Sequence, residues 1–148
     1  MIFILNRGRL QNNRPLTLLG ENMITVLIPS NPEFKKHKAH IKSVYEKYQE
    51  KICDPNSFDF IVQNTLFYAF FLDGIFIGAI YYFMENKKLF LNAFALPKNH
   101  LANLKCLRTS TTWFTSPIYA EAQNRASALC LLRCGFKRLN KNIFILQK

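Results

Sequence analysis

The chain has 148 residues, 49% hydrophobic and 14% aromatic, and its 20 Lys and Arg against 9 Asp and Glu give a formal charge of +11. That length suits one domain with a sizeable core, and the apolar content excludes a disordered chain. The positive excess favours anionic partners (nucleic acid, an acidic membrane surface or a phosphorylated cofactor) without choosing among them.

Met1–Leu5 is apolar but too short for a secretory signal, and Arg7 and Arg9 follow it instead of preceding it. Met23 opens MITVLIP, a more natural first strand. Residues 1–22 therefore read as an N-terminal arm or over-extended start, and residues 23–148 as the domain. Ile24–Ile28 is expected as a strand ended by Pro29-Ser30. Over Pro32–Gln49 the apolar positions Phe34, Ile41, Val44, Tyr45 and Tyr48 fall on one helical stripe, with lysines over much of the rest. Asp54-Pro55-Asn56 reads as loop, and Phe58–Asn64 as a short helix.

Thr65–Met84 is twenty residues with a single charge, long enough to span a bilayer. Its centre, however, is Asp73-Gly74, a strong two-residue hairpin signal, and its flanks are rich in the aromatic and β-branched residues of strands. A buried hairpin of Phe67–Leu72 with Ile75–Met84 is expected, with no membrane span. Lys88–Leu96 returns after a turn at Asn86-Lys87. Leu101, Leu104, Leu107, Thr111 and Phe114 then recur at helical spacing, giving a helix from about Asn99 to Phe114.

The stretch Ile118–Phe136, IYAEAQNRASALCLLRCGF, is the most informative. It reads as a strand (Ile118–Ala122), then a helix opened by Asn124 as N-cap and closed by Gly135, with Arg133 in the last turn facing the negative end of the dipole. Phe136 starts a last strand pair within Phe136–Leu146. The cysteines Cys53, Cys106, Cys130 and Cys134 form no C-x-x-C pair and no metal spacing with the three histidines. Small buried thiols in a reducing, cytoplasmic compartment are expected, and no metal site.

The ending, with Asn124 and Gly135-Phe136 at this separation, resembles the motif N-x-x-A-x-x-L-Y-x-K-x-G-F of the GCN5-related N-acetyltransferase (GNAT) fold. The order strand, helices, three antiparallel strands, helix, strand, helix, strand is similar to it over roughly residues 23–148. The resemblance implies an α+β fold: a mixed, mainly antiparallel central sheet with flanking helices and a splayed strand pair. It implies acetyl-CoA between the splayed strands, near Ala93, Phe94, Ala95 and Asn124. The pyrophosphate would lie at the next helix start, near Lys98, His100 and Asn103, where free N–H groups and the dipole favour an anion. The family reaches that point through a Q/R-x-x-G-x-G/A turn. The corresponding Leu96–Asn103 contains no glycine.

The family also places a tyrosine seven residues after the motif Asn, to return a proton to the departing CoA thiolate; here that position is Leu131. Glu121 is the carboxylate nearest the expected cleft, and Tyr119 shares its side of the strand by the period-two rule, so both are candidate catalytic residues. Asn92, polar in an apolar run, faces the cleft or is a satisfied core amide.

The leading functional expectation is a non-catalytic or strongly diverged acetyltransferase-like protein of phage or prophage origin, with a virion or head-assembly role. YAEAQNRASALCLLRCGFKR is similar to a small tailed-phage family of head-assembly or internal virion proteins, which implies phage structural proteins as partners. The alternative is an active acetyl-CoA-dependent N-acetyltransferase with an amine or protein acceptor. Nucleic-acid binding through the lysine-rich Lys35–Lys51 helix ranks last, because Glu33, Glu46 and Glu50 dilute its field and no base-reading motif accompanies it.

Overall fold

The structure is a computed structural model that describes residues 16–18 and 22–148. In chain order the elements are β1 (Leu16–Leu18), β2 (Asn22–Leu27), α1 (Pro32–Ile52), α2 (Phe58–Asn64), β3 (Leu66–Leu72), β4 (Ile75–Glu85) and β5 (Lys88–Ala95). There follow α3 (His100–Thr111), β6 (Ile118–Glu121), α4 (Arg125–Arg133), β7 (Lys137–Arg138) and β8 (Ile143–Leu146). The strands form one sheet in the order β1-β2-β3-β4-β5-β6-β8-β7, antiparallel throughout except between β5 and β6.

Local chemistry accounts for the turns. Asp73 and Gly74 have φ of 50° and 81°, and Asn86 and Lys87 have 50° and 62°. Two successive positive φ values match the right-handed twist of a two-residue hairpin, and Asp, Asn and Gly tolerate them best. Asp73 also ties its turn to the neighbouring strand: Met23 N–H donates to its carboxylate, and its own N–H donates to the Met23 carbonyl. The apolar run of Thr65–Met84 is thus the β3–β4 hairpin, and among the described residues no helix is long and apolar enough to cross a membrane.

The helix ends are equally local. Asn31 caps α1 by accepting from Glu33 N–H, with Pro32 in the first turn. The helix runs three residues beyond Gln49 because Ile52 continues the buried stripe of Phe34, Ile41, Val44 and Tyr45. Asn124 caps α4 by accepting from Ser127 N–H. At its other end Phe136 N–H donates to the Leu131 carbonyl and Gly135 N–H to the Leu132 carbonyl, with Gly135 at φ 89°. This paired closure needs a left-handed residue, which glycine supplies without steric cost. By contrast α3 stops at Thr111, short of Phe114, where Thr112 and Trp113 donate three residues back and tighten the chain out of the helix.

The sheet is covered on both faces, which explains why β3 and β4 read as near-continuous apolar runs. On one face α1 and α2 bury Phe34, Tyr45 and Phe58 against Phe67, Phe71, Tyr81 and Phe94. On the other, α3 and α4 bury Leu107, Cys130 and Leu131 against Phe70, Ile80, Leu91, Ala93 and Ala120. Each large side chain so covered contributes roughly 1.5–3 kcal/mol. Within the expected N-terminal arm, Leu16–Leu18 pairs antiparallel with Asn22–Ile24 and forms the edge of the sheet; the rest of that arm lies outside the described residues.

Candidate functional site

The site begins where a strand pair comes apart. β4 and β5 pair along their length, from Glu85↔Lys88 to Gly78↔Ala95. The parallel pairing of β5 with β6 covers only Leu89↔Ile118, Phe90↔Tyr119 and Leu91↔Ala120. Beyond Leu91 the remaining residues of β5, Asn92–Ala95, leave β6 behind, and a gap opens.

Register fixes what faces the gap. In antiparallel sheet the hydrogen-bonded and non-hydrogen-bonded pairs alternate. A two-residue turn makes Glu85/Lys88 a bonded pair, and the Leu96 N–H to Ile77 carbonyl bond of 2.9 Å keeps the same phase at the far end. Tyr81/Asn92 and Ala79/Phe94 are then bonded pairs, and the N–H and C=O groups of Ala93 and Ala95 point away from β4, towards the gap. Ala93 N–H finds a substitute partner in the Asn92 side chain, at 2.9 Å. Because β5 and β6 run the same way, α3 and α4 both start at this open end, the usual place for a ligand crevice in parallel strands.

On the α1/α2 face a cavity of about 280 Å³ adjoins the gap, lined by Asp54, Phe83, Glu85, Asn92, Glu121 and Gln123 among others. Its floor is a chain of hydrogen bonds. Asn92 Nδ2 donates to Tyr81 Oη at 2.8 Å, and Tyr81 O–H donates to Asp54 Oδ2 at 2.6 Å. Asp54 Oδ1 accepts from both the backbone and the side chain of Asn56, each at 2.9 Å, while the Asn56 carbonyl accepts from Tyr45 O–H at 2.6 Å. The α1–α2 loop is thereby fixed against the sheet. Burial and then the Asp54 carboxylate push the Tyr81 phenol well above its ordinary range, and burial and then Asp54 do the same to Tyr45.

The other expected residues are placed as follows. Tyr119 shares the side of Glu121, as the period-two rule requires. Its ring packs on Phe90 (5.5 Å between centroids) with Lys88 Nζ 5.1 Å from its centre, and of the two only Glu121 lines the cavity. Lys98 and His100 are exposed at the start of α3, whose cap residue Asn99 makes no side-chain capping bond. Asn103 is buried, and its amide donates to the Ile77 and Asn99 carbonyls, bracing α3 against β4, a different use from the cofactor contact expected of it. Phe94, Ala93 and Ala95 bury their side chains, so only their backbone is offered to a ligand. Leu131 is fully buried.

Asn124 spends a side-chain oxygen on the α4 cap and borders a second cavity of about 310 Å³, between α4 and the β7–β8 hairpin, with Arg125, Arg138 and Lys141. Within α4, Ser127 Oγ is buried and lacks any hydrogen-bond partner. A hydroxyl so placed costs about 1–3 kcal/mol. Burial raises the thiols of Cys106, Cys130 and Cys134, that of Cys134 to about 12, so none is a ready nucleophile. Among the described residues no three His, Cys, Asp or Glu side chains converge as for a metal. Along α1, Lys36 pairs with Glu33, and Lys38 and Lys42 with Asp59, which dilutes the basic face further.

Sequence reasoning missed Asp54 and Tyr81. The one available signal was the turn at Asn86-Lys87: counting outwards from it sets Tyr81 opposite Asn92.

No protein-family model and no curated protein matches the chain. Solved structures do match. Mycobacterium smegmatis RimJ, in complex with CoA-disulfide, superposes with a TM-score of 0.60 at 11% identity, over 84% of this chain and 81% of that one. A probable acetyltransferase gives 0.60 at 15% identity, over 90% and 97%. The fold is that of the GCN5-related N-acetyltransferases. A third GNAT-fold match, the Bacillus subtilis N-acetyltransferase YlbP in complex with coenzyme A, gives 0.51 at 14% identity, over 86% and 97%. The expected mixed, mainly antiparallel sheet with flanking helices and one splayed pair is present. The likeness to tailed-phage assembly proteins has no counterpart among these three.

Proposed function

We propose that the chain is a coenzyme A thioester-dependent N-acyltransferase, with acetyl-CoA as the simplest donor, that takes a small cationic amine in the cavity beside Asn92. The observation that carries this reading is the parting of β5 from β6 next to a cavity bearing Asp54, Glu85 and Glu121, in a chain whose overall charge is +11. Acidic residues concentrated there attract an ammonium group against the general field of the molecule.

The residues present fit the cofactor. The C=O groups of Ala93 and Ala95 and the N–H of Ala95, aimed into the gap, suit an extended amide-bearing arm. Lys98 and His100, exposed at the start of α3, supply side-chain donors where the glycine turn of the family is missing. Bound there, the thioester would supply an acyl group to a neutral amine, its carbon–sulfur bond breaking as the new carbon–nitrogen bond forms and coenzyme A leaving as the thiolate. Glu121, exposed on the cavity wall, is placed to take the proton the amine loses. Tyr81 stays protonated and serves as donor to Asp54, holding that carboxylate towards the acceptor. The four cysteines, all free thiols, suit a reducing, cytoplasmic setting.

A second reading is a non-catalytic, phage-encoded relative with an assembly role. It is favoured by the leucine at position 131, buried where the family has its proton donor. Acyl transfer from acetyl-CoA to a panel of small amines and lysine peptides separates the two. The first reading predicts saturable turnover, lowered roughly 10²–10⁴-fold by Glu121→Gln. No acetyl-CoA binding at millimolar ligand supports the second.

A further inference from the structure

Gln123 stands between two cavities of opposite charge. On one side it lines the cavity beside Asn92, with the carboxylates of Asp54, Glu85 and Glu121. On the other it lines the cavity of about 310 Å³ between α4 and the β7–β8 hairpin, with Arg125, Arg138 and Lys141. Those three cations come from three segments: the first residue of α4, the last of β7 and the turn before β8. Like charges around one cavity repel each other unless an anion lies among them. Among the described residues the ion pairs join α1 to itself and to α2, and none reaches Arg125, Arg138 or Lys141.

Local bonds hold this basic cluster in place. Ala122 N–H donates to the Asn142 carbonyl at 2.9 Å, which fixes the turn carrying Lys141 beside the link from β6 to α4. Asn140 Oδ1 accepts from Ile143 N–H at 3.1 Å and orders the same turn. Arg138 donates one guanidinium N–H to the Lys141 carbonyl at 2.7 Å and lies over the Phe144 ring, 5.0 Å from its centre. Its other N–H groups, and the side-chain donors of Arg125 and Lys141, make no hydrogen bond among the described residues.

The shared wall decides what such a pair of cavities can hold. A ligand bearing only an ammonium group gains in the first cavity and is repelled from the second. One with charges of both signs gains in both, since these fields reach about 8–10 Å at ordinary ionic strength. We propose that the amine acceptor also carries an anionic group, a carboxylate or a phosphate, which docks among Arg125, Arg138 and Lys141 while the amine lies beside Glu121. A guanidinium fork matches the paired oxygens of either anion. The Gln123 amide, between the two ends, offers both a donor and an acceptor to the linking atoms.

This inference rests on the acyltransferase reading and concerns only its acceptor. Transfer from acetyl-CoA is measured with three amine series of graded chain length: plain alkylamines, ω-amino carboxylates and ω-aminoalkyl phosphates. At the best length, kcat/KM for an anion-ended amine is expected to exceed that of the matching alkylamine roughly tenfold or more, through KM. The carboxylate and phosphate series show which anion is preferred. Arg125→Gln with Lys141→Gln should bring the ratio towards one, and these two carry the test because neither side chain bonds within the fold. Equal kcat/KM for matched plain and anion-ended amines overturns the proposal, as does a ratio that survives the double substitution. A double variant that binds coenzyme A tenfold more weakly by calorimetry shows that the cations hold the cofactor's phosphates; that overturns the proposal and leaves the acyltransferase reading standing. Turnover of no amine in any series overturns that reading and this proposal together.

Discussion

Tyr81 joins three distant segments through one oxygen, donating to Asp54 of the α1–α2 loop and accepting from Asn92 of β5. Tyr81→Phe removes both bonds and leaves a half-buried amide and a half-buried carboxylate short of a partner. The expected loss is about 1–3 kcal/mol in urea denaturation. Amine affinity should fall with it, because the loop that carries Asp54 is no longer fixed, whereas coenzyme A affinity should hold. A variant as stable as wild type would show that the three segments are held by packing alone. At this scale the sequence was half legible. Asn92 and Glu121 stood out as polar residues on apolar strands. Asp54 did not, because its role is defined by a tyrosine 27 residues away that looks like one more core aromatic in a YYF run.

Elements whose ends are fixed by local chemistry were the readable ones. Asn124, Gly135 and the turns at Asp73-Gly74 and Asn86-Lys87 each act within a few residues, and the structure has each where the sequence placed it. The edge strand at Leu16–Leu18 was not foreseen, since three residues become a strand only by lying against β2. Nor does spacing reveal that β5 and β6 part after Leu91; that expectation came from the resemblance. Gly78 shows how the site is held at this level. A Cβ there would lie 2.5 Å from Asn103 Oδ1 and 3.0 Å from the Phe94 carbonyl, so the missing side chain is what lets α3 sit down on β4. Gly78→Ala should cost roughly 1–3 kcal/mol and shift the start of α3, weakening coenzyme A binding through Lys98 and His100. Unchanged stability by thermal melting would mean that Asn103 is not the brace its hydrogen bonds suggest.

Among the described residues the large titration shifts belong to buried thiols and phenols and lie on the alkaline side. Cys134 is raised to about 12, and the buried Tyr45, Tyr81 and Tyr82 are raised further, in each case with burial as the first cause. A raised folded-state pKa means that the native state holds its proton where the unfolded chain releases it. The stabilisation is therefore complete below the unfolded value, about pH 9 for a thiol and about 10 for a phenol, and is lost as pH rises beyond it. Denaturation midpoints should be level near neutrality and fall progressively above about pH 9; a flat profile into strong alkali would show that these groups are not buried as described. Cys53, exposed, should react with a thiol reagent well before Cys106 or Cys134 in the folded protein.

The proposed acyltransferase requires that the gap between β5 and β6 receive a coenzyme A thioester. Residue-resolved amide hydrogen exchange tests it most directly, because Ala95 N–H faces that gap. Coenzyme A should slow exchange at Ala93 and Ala95 while the distant β3 amides keep their rates. Unaltered exchange at both alanines, under saturating ligand that binds elsewhere or not at all, would contradict the account.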